Sequence, residues 1–245
     1  MAVRRLLAAA LLLLAPAVAA ADTPVAAAQA LVARYHEDLS AIDRARDLLE
    51  AAVAHEERVE TLIALSYVSF LWGDVRAGTS EAKLAAYERG REVGRRAIER
   101  APRNPDAHLW YAINTGRWGQ TRGIVRSLFL LPTVREEIDV LLALDPRSPR
   151  AHAFAGNVFL ELPRVAGGDP ARAQTHFRTA LETDPTFTVA RVGLARAHIA
   201  AGRYADARRE LQRVIEERAP TLVADWTVKD LPRARALLAA IRDRS

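Results

Sequence analysis

The sequence predicts an all-α protein, a solenoid of about four antiparallel helix pairs with lengthened inter-helix turns and a C-terminal closing helix. Alanine, leucine and arginine dominate the 245 residues, and this composition favours helix. Four segments with helical apolar spacing each run into a proline, at Pro102, Pro146, Pro185 and Pro220. A similar helix start follows each of the first three prolines. The chain therefore repeats one two-helix unit.

The first 21 residues are predicted to be a cleaved signal peptide. Arg4 and Arg5 precede an apolar stretch from Leu6 to Leu14, and small residues follow. This stretch is too short to span a bilayer. We expect a mature N-terminus near Ala20 or Asp22 and a periplasmic protein without a transmembrane segment. The chain has no cysteine, which excludes a lipoprotein anchor and disulfides.

The remaining chain divides into three regions. Residues 22–57 are predicted to form N-terminal helices that pack on the repeats, 58–220 a repeat domain, and 221–245 a C-terminal capping helix. Removal of residues 1–21 lowers the formal charge from +5 to about +3, so nucleic acid is not an expected partner.

Small residues recur at two positions of the repeat. Those at the first position are expected where two helices approach closely: Ala112, Gly156 and Ala195. Those at the second are expected to end the first helix of a pair in a left-handed cap: Gly73, Gly119 and Gly202.

Two irregular segments each have two interpretations. Gly167-Gly168-Asp169 is either a phosphate-binding loop or a lengthened turn between two helices. A phosphate-binding loop needs a preceding strand and a following Lys-Ser/Thr, and the sequence has neither. The turn is therefore favoured, with Asp169 capping the next helix. The apolar segment Ile124–Leu131 is expected to form a short extra helix or loop over the solenoid edge. The alternative is a membrane-dipping or partner-docking segment.

The last unit matches the tetratricopeptide spacing. Its matching residues are Gly202, Tyr204, Ala207, Leu211 and Val214. The fold class is thus a tetratricopeptide-like solenoid.

More narrowly, the chain resembles the periplasmic T component of tripartite ATP-independent periplasmic (TRAP) transporters. The segments that carry this resemblance are AAYERGREVGRRAIE (85–99), AHLWYAINTGRWGQ (107–120) and LELPRVAGGDPARAQTHFRTAL (160–181). The resemblance implies a partnership with a TRAP substrate-binding protein. Some of these features also resemble the regulators of microtubule dynamics, a role that the predicted signal peptide disfavours.

No residue pattern predicts catalysis, a metal site or a cofactor. The six histidines have no metal-ligand spacing, and the motif that begins at His55 lacks the second histidine of a metalloprotease. His108 and His152 occupy equivalent repeat positions, so a packing role is expected for both. We therefore expect a non-catalytic protein.

The first helix of each pair should line a concave face. The side chains expected to line it, and to bind a ligand there, are Ile63, Tyr67, Phe70, Leu109, Ile113, Asn157, Leu160, Val192 and Arg196. This mostly apolar set suits a small hydrophobic molecule, with an acidic end reaching Arg196. The alternative is that the long turns close the groove and these residues form ordinary core.

Two function classes follow from this surface. The first is a TRAP-type accessory protein that binds or passes such a ligand. The second is a protein-interaction scaffold for envelope assembly or secretion. An oligomer is compatible with both.

Overall fold

The computed structural model describes residues 23–244, and over this range the protein is built of helices with no β-strand. The predicted all-α solenoid is confirmed. An N-terminal pair precedes the repeats: α1 (Pro24–Ala33) and α2 (Ala41–His55). The repeats are four antiparallel pairs: α3 (Val59–Val75) with α4 (Ser80–Arg100), α5 (Pro105–Arg122) with α6 (Ile124–Leu144), α7 (Pro149–Glu161) with α8 (Pro170–Thr183), and α9 (Thr188–Ala200) with α10 (Tyr204–Glu216). The predicted signal peptide, residues 1–21, lies outside the described residues.

Polar caps followed by proline start three of these helices. Asn104, Ser148 and Asp169 each accept a backbone N–H bond at the start of α5, α7 and α8, and a proline follows each cap. Proline suits the first helical position because its missing N–H would have no helical partner there. A side-chain cap of this kind stabilises a helix by about 1 kcal/mol.

In three of the repeats, the side chain six residues after the repeat proline forms a hydrogen bond to the turn that precedes its own helix. It bonds to the carbonyl oxygen of that proline, in His108–Pro102 (3.0 Å), His152–Pro146 (2.9 Å) and Arg191–Pro185 (2.5 Å). It also bonds to the second helix of its pair, in His108–Glu137 (2.6 Å), His152–His176 (3.0 Å) and Arg191–Glu210 (2.9 Å). The expected structural role of His108 and His152 is confirmed, and Arg191 shares it.

The glycines do not all end helices as predicted. Of the three glycines predicted to end helices, only Gly202 has the expected positive φ, at +72°. Gly73 and Gly119 lie inside α3 and α5, where they permit close helix contact. A Cβ on Gly73 would lie 2.5 Å from the Tyr87 ring, and one on Gly119 would lie 3.2 Å from the Ser127 Cα. At both positions glycine allows two helices to pack closely and does not form a turn.

The predicted close-contact position is confirmed. Ala112 and Ala195 are fully buried, and a Cβ on Gly156 would lie 2.8 Å from the Phe177 ring.

The lengthened turn is also confirmed. Gly167 has φ +86°, and Asp169 accepts hydrogen bonds from Ala171 N and Arg172 N.

The segment Ile124–Leu131 is not the separate helix or loop that the sequence suggested. It forms the first turns of α6, which continues through Pro132 to Leu144. Pro132 is exposed, so its ring lies on the solvent side of the helix and does not disturb the packing against α5. Within residues 23–244, no helix is both long and apolar enough to cross a membrane.

The C-terminal segment is one helix with a wide turn in its middle. It comprises α11 (Val223–Asp225), a π-helical turn (Trp226–Asp230) and α12 (Leu231–Ala240). Ala234 packs with Leu211 and Val214 of α10, as a capping helix should. Val228, however, packs against the core of the first helices. The segment therefore crosses the concave side of the solenoid and joins its two ends.

Candidate functional site

The concave side encloses a cavity of about 770 Å³. Helices α1, α3, α5, α7 and α9 form its wall, and the C-terminal segment crosses it. The wall positions recur at helical spacing, as in Ile63, Tyr67 and Phe70 of α3. A volume of this size is typical of small-molecule sites, which occupy roughly 300–1,000 Å³.

Seven of the nine predicted site residues line this cavity: Ile63, Tyr67, Phe70, Leu109, Ile113, Asn157 and Arg196. Leu160 and Val192 do not. The cavity-facing positions of α7 run from Arg150 to Glu161 at intervals of three and four residues. Leu160 falls outside this register and packs against the buried residues of α6 to α9, such as Phe177 and Leu194. Val192 is buried with Ala234, because the C-terminal segment covers this part of α9. Ligand binding by the seven stays a prediction.

An aromatic cluster forms the apolar part of the wall. The ring centroids of Tyr67 and Trp110 lie 4.3 Å apart, and those of Phe70 and Trp110 lie 5.8 Å apart. Ile113 and Phe154 extend this surface along α5 and α7. The half-buried rings offer a flat apolar surface to an occupant.

Beside Phe70, a charged group links α3 and α5 to the C-terminal segment. Asp74 Oδ1 lies 2.8 Å from Arg117 and its Oδ2 lies 2.9 Å from Lys229 Nζ. Burial opposes ionisation of Asp74, yet Lys229 and Arg117 hold its pKa below the usual range. Burial likewise opposes the charge on Lys229, while Asp225 and Asp74 raise its pKa. Asp74 and Lys229 are therefore ionised at neutral pH, and Asp74 pairs with both cations.

A second charged group lies where α7 and α9 meet α12. Arg196 donates to Asn157 Oδ1 and to Glu161 Oε1, both at 3.2 Å. Arg233 of α12 also lines the cavity but makes no ion pair with any residue in 23–244. Burial, and then the nearby charge of Arg196, lower the pKa of Arg233. Arg196 is already engaged, so Arg233 is the cation available to an anionic group.

Sequence reasoning missed several wall residues for two reasons. Trp110 and Phe154 lie on the predicted helices and could have been found from their register beside Leu109 and Asn157. Lys229 and Arg233 gave no such signal, because the C-terminal segment was expected only to cover the last repeat.

Most carboxylates of the cavity wall are paired with a basic side chain. Three of its four carboxylates lie within ion-pair distance of arginine or lysine, in Asp106–Arg150, Glu161–Arg196 and Asp225–Lys229. The fourth, Glu60, makes no ion pair within residues 23–244. Across residues 23–244, no three histidine, aspartate or glutamate side chains converge to hold a metal ion. The arrangement is suited to binding.

Comparisons with known proteins connect the chain to one family and one fold. The family model described as "Regulator of microtubule dynamics protein 1-3" matches residues 25–161, and the model described as "Tetratricopeptide repeat" matches residues 164–241. Regulator of microtubule dynamics protein 3 of Rattus norvegicus is 24% identical over 227 residues, covering 78% of this chain and 48% of the relative. The same protein of Bos taurus is 31% identical over 103 residues, covering 39% of this chain and 22% of the relative. The chain spans less than half the length of these relatives.

A solved structure supports the fold independently. A thermophilic tetratricopeptide protein of Thermus thermophilus superposes with a TM-score of 0.64 at 19% identity, covering 86% of this chain and 100% of that chain. This likeness shows the fold alone. The tetratricopeptide assignment is thus confirmed. The narrower resemblance to the TRAP T component gains no support, and the matched family is the one that the sequence analysis had placed second.

Proposed function

The chain belongs to the family of regulators of microtubule dynamics proteins 1 to 3, and from this premise we propose that it is a non-catalytic binding protein of the tetratricopeptide type. Its cavity takes one small organic molecule with an apolar body and an anionic end. Most of the wall, on α1, α3, α5 and α7, lies within the residues that the family model matches. The relatives are named for microtubule dynamics, whereas the function that we propose for this chain is binding in the cavity.

The observation that carries the proposal is that one cavity is lined both by aromatic rings and by an arginine without an ion pair in residues 23–244. Tyr67, Phe70 and Trp110 form an aromatic wall, and Arg196 and Arg233 belong to the same lining. Apolar burial supplies most of the binding free energy of a small ligand, and a few placed polar groups fix its orientation. An anion close to Arg233 would neutralise a charge that no carboxylate within 23–244 pairs with.

The more specific expectation is an accessory role beside the substrate-binding protein of a TRAP transporter, in the periplasm. It rests on the three quoted segments and the predicted signal peptide, and it stays a prediction. Genes for a TRAP permease and binding protein beside this gene would support it.

A pair of fluorescent probes tests the cavity. Anilinonaphthalene sulfonate and N-phenyl-1-naphthylamine share an aromatic body, and only the first carries an anion. We expect both to bind, and Arg233→Ala to weaken the sulfonate roughly tenfold, since a hydrogen bond to a charged group contributes about 1.5–3 kcal/mol. The neutral probe should be unaffected. Arg235→Ala is the matched control because Arg235 is exposed like Arg233 and lies two residues further along α12, but is absent from the cavity lining.

Native mass spectrometry of the protein purified from its own cell provides the second test. A retained small molecule that Ile113→Glu abolishes would support the proposal. Co-purifying proteins without a small molecule, retained equally by Ile113→Glu, would favour the interaction scaffold instead.

A further inference from the structure

Four apolar side chains on the first turns of α6 are exposed to solvent. Their exposed fractions are 64% for Ile124, 81% for Val125, 39% for Leu128 and 73% for Phe129. Their spacing places them on one side of the helix. We call these four residues the α6 patch. An exposed apolar cluster of this kind marks an interaction surface.

The architecture explains why no helix covers the patch. Helix α6 has 21 residues and its antiparallel neighbour α7 has 13. Since the two are joined by a short turn, α7 reaches back only to about residue 132. Residues 124–131 therefore extend past α7 and pack on α5, where the absence of a side chain at Gly119 leaves room for Ser127 and Leu130. The patch projects outward and is not a groove.

The charged residues of the chain segment that carries the patch are all arginines. No aspartate or glutamate occurs between Asp106 and Glu136. Arg122 and Arg126 stack on the Trp118 ring, with centroid distances of 5.2 and 5.7 Å, and Arg126 also lies 5.7 Å from the Phe129 ring. Neither arginine forms an ion pair within residues 23–244. Their charges are therefore held beside the apolar side chains by aromatic contacts and remain free for an external anion.

We propose that the α6 patch docks the protein on an anionic phospholipid surface. Exposed aliphatic and aromatic side chains flanked by unpaired arginines are the combination that binds at the headgroup boundary of a bilayer. The arginines complement anionic headgroups, and Val125 and Phe129 enter the boundary region. The outward projection favours a deformable lipid surface over a peptide, which needs a groove. The patch shallowly inserts and does not span, consistent with the absence of a spanning helix in 23–244.

A local probe tests this docking. The chain has no cysteine, so Val125→Cys provides a unique site for a polarity-sensitive fluorophore. We expect its emission to shift to the blue with vesicles of phosphatidylcholine plus phosphatidylglycerol, and much less with phosphatidylcholine alone. The matched probe at Leu39→Cys, also an exposed apolar position, should not shift. The local probe is needed because the apolar residues 6–14 could bind vesicles by themselves.

Charge reversal tests the role of the arginines. In the labelled protein, Arg122→Glu with Arg126→Glu should weaken vesicle binding roughly tenfold or more, as expected for basic side chains at an anionic surface. Arg218→Glu is the control, an exposed arginine without an ion pair within 23–244. Circular dichroism verifies folding of each variant. An unshifted Val125 probe on anionic vesicles would overturn the proposal. So would a shift that grows with protein concentration without vesicles, because it would assign the patch to a second copy of the chain.

Discussion

The hydroxyl of Tyr35 donates a 2.5 Å hydrogen bond to Asp225 Oδ1, joining buried side chains 190 positions apart in the chain. Tyr35 follows α1, and Asp225 lies in the C-terminal segment. Burial, followed by the charge of Asp225, raises the pKa of Tyr35 far above its usual value, so Tyr35 remains a donor. The bond fixes the C-terminal segment to the beginning of the solenoid.

Loss of this bond should destabilise the protein. We expect Tyr35→Phe to lower the free energy of unfolding by about 1–3 kcal/mol, because a buried carboxylate loses its donor. Urea unfolding followed by circular dichroism measures the change. Tyr204→Phe, at a half-buried tyrosine without a side-chain hydrogen bond to the described residues, should leave stability nearly unchanged. Equal effects would show that the Tyr35 hydroxyl contributes little.

Truncation after Pro220 should loosen both ends of the solenoid. The C-terminal segment covers α10 through Ala234 and the first helices through Val228. Hydrogen exchange should therefore accelerate in α9–α10 and also in α1–α3. A simple terminal cap would expose only the last repeat. Unchanged exchange in α1–α3 would contradict the contact between the two ends.

Ile113→Glu distinguishes a cavity wall from a packed core. Ile113 is half-buried in the cavity, so a glutamate there can contact solvent. We expect a folded protein that loses about 1 kcal/mol of stability and most of its affinity for an apolar probe. The adjacent Ala112 is fully buried. Ala112→Glu should unfold the repeat, because an unpaired buried charge costs several kcal/mol. Unfolding by Ile113→Glu as well would remove Ile113 from the site.

The His152–His176 pair should make stability depend on pH. Burial, and then the neighbouring His152, lower the pKa of His176 to about 4. Between pH 4 and about 6.5 the unfolded chain therefore binds a proton that the folded chain does not. The contribution of His176 is complete above pH 6.5 and is lost as the pH falls towards 4, with an amplitude of roughly 3 kcal/mol.

The wild-type profile alone does not isolate this effect. Burial raises the pKa of Asp230 to about 6, and this group titrates over the same range with the opposite sign. The informative quantity is the difference in unfolding free energy between wild type and His176→Gln, measured from pH 4 to 7. The exposed His55→Gln serves as the control. A difference independent of pH would contradict the prediction.

Two glycines should respond oppositely to alanine. Gly156→Ala places a Cβ 2.8 Å from the Phe177 ring, whereas nothing lies within 4 Å of a Cβ on Gly116. We expect Gly156→Ala to destabilise by about 1–3 kcal/mol through overpacking. Gly116→Ala should stabilise by about 0.5–1 kcal/mol, since both glycines lie within helices. Thermal unfolding of the two variants measures this contrast.

The parts predicted from the sequence are those that depend on nearby residues. Proline positions, the Asp169 cap and the small residue at Gly156 act within one repeat, so periodicity identified them. Gly73 was misinterpreted because a glycine can serve a turn or a close contact, and the choice depended on Tyr87 in the next helix. The crossing of the C-terminal segment depends on contacts between the two ends of the chain, as in Tyr35–Asp225. No local pattern encodes such a contact, so Val192 was placed in the groove when it is covered.

Because the C-terminal segment forms part of the cavity wall, docking of this segment and binding of an occupant are thermodynamically linked. Val25 of α1 and Asp225 and Lys229 of the C-terminal segment line the same cavity. An occupant in contact with both ends binds best when the segment is docked, so it must also strengthen docking by the same free energy. At a hundred times its dissociation constant, such an occupant would add about 2.7 kcal/mol to stability. The amide exchange rate of residues 223–230 is thus a ligand sensor that requires no label and no knowledge of the ligand.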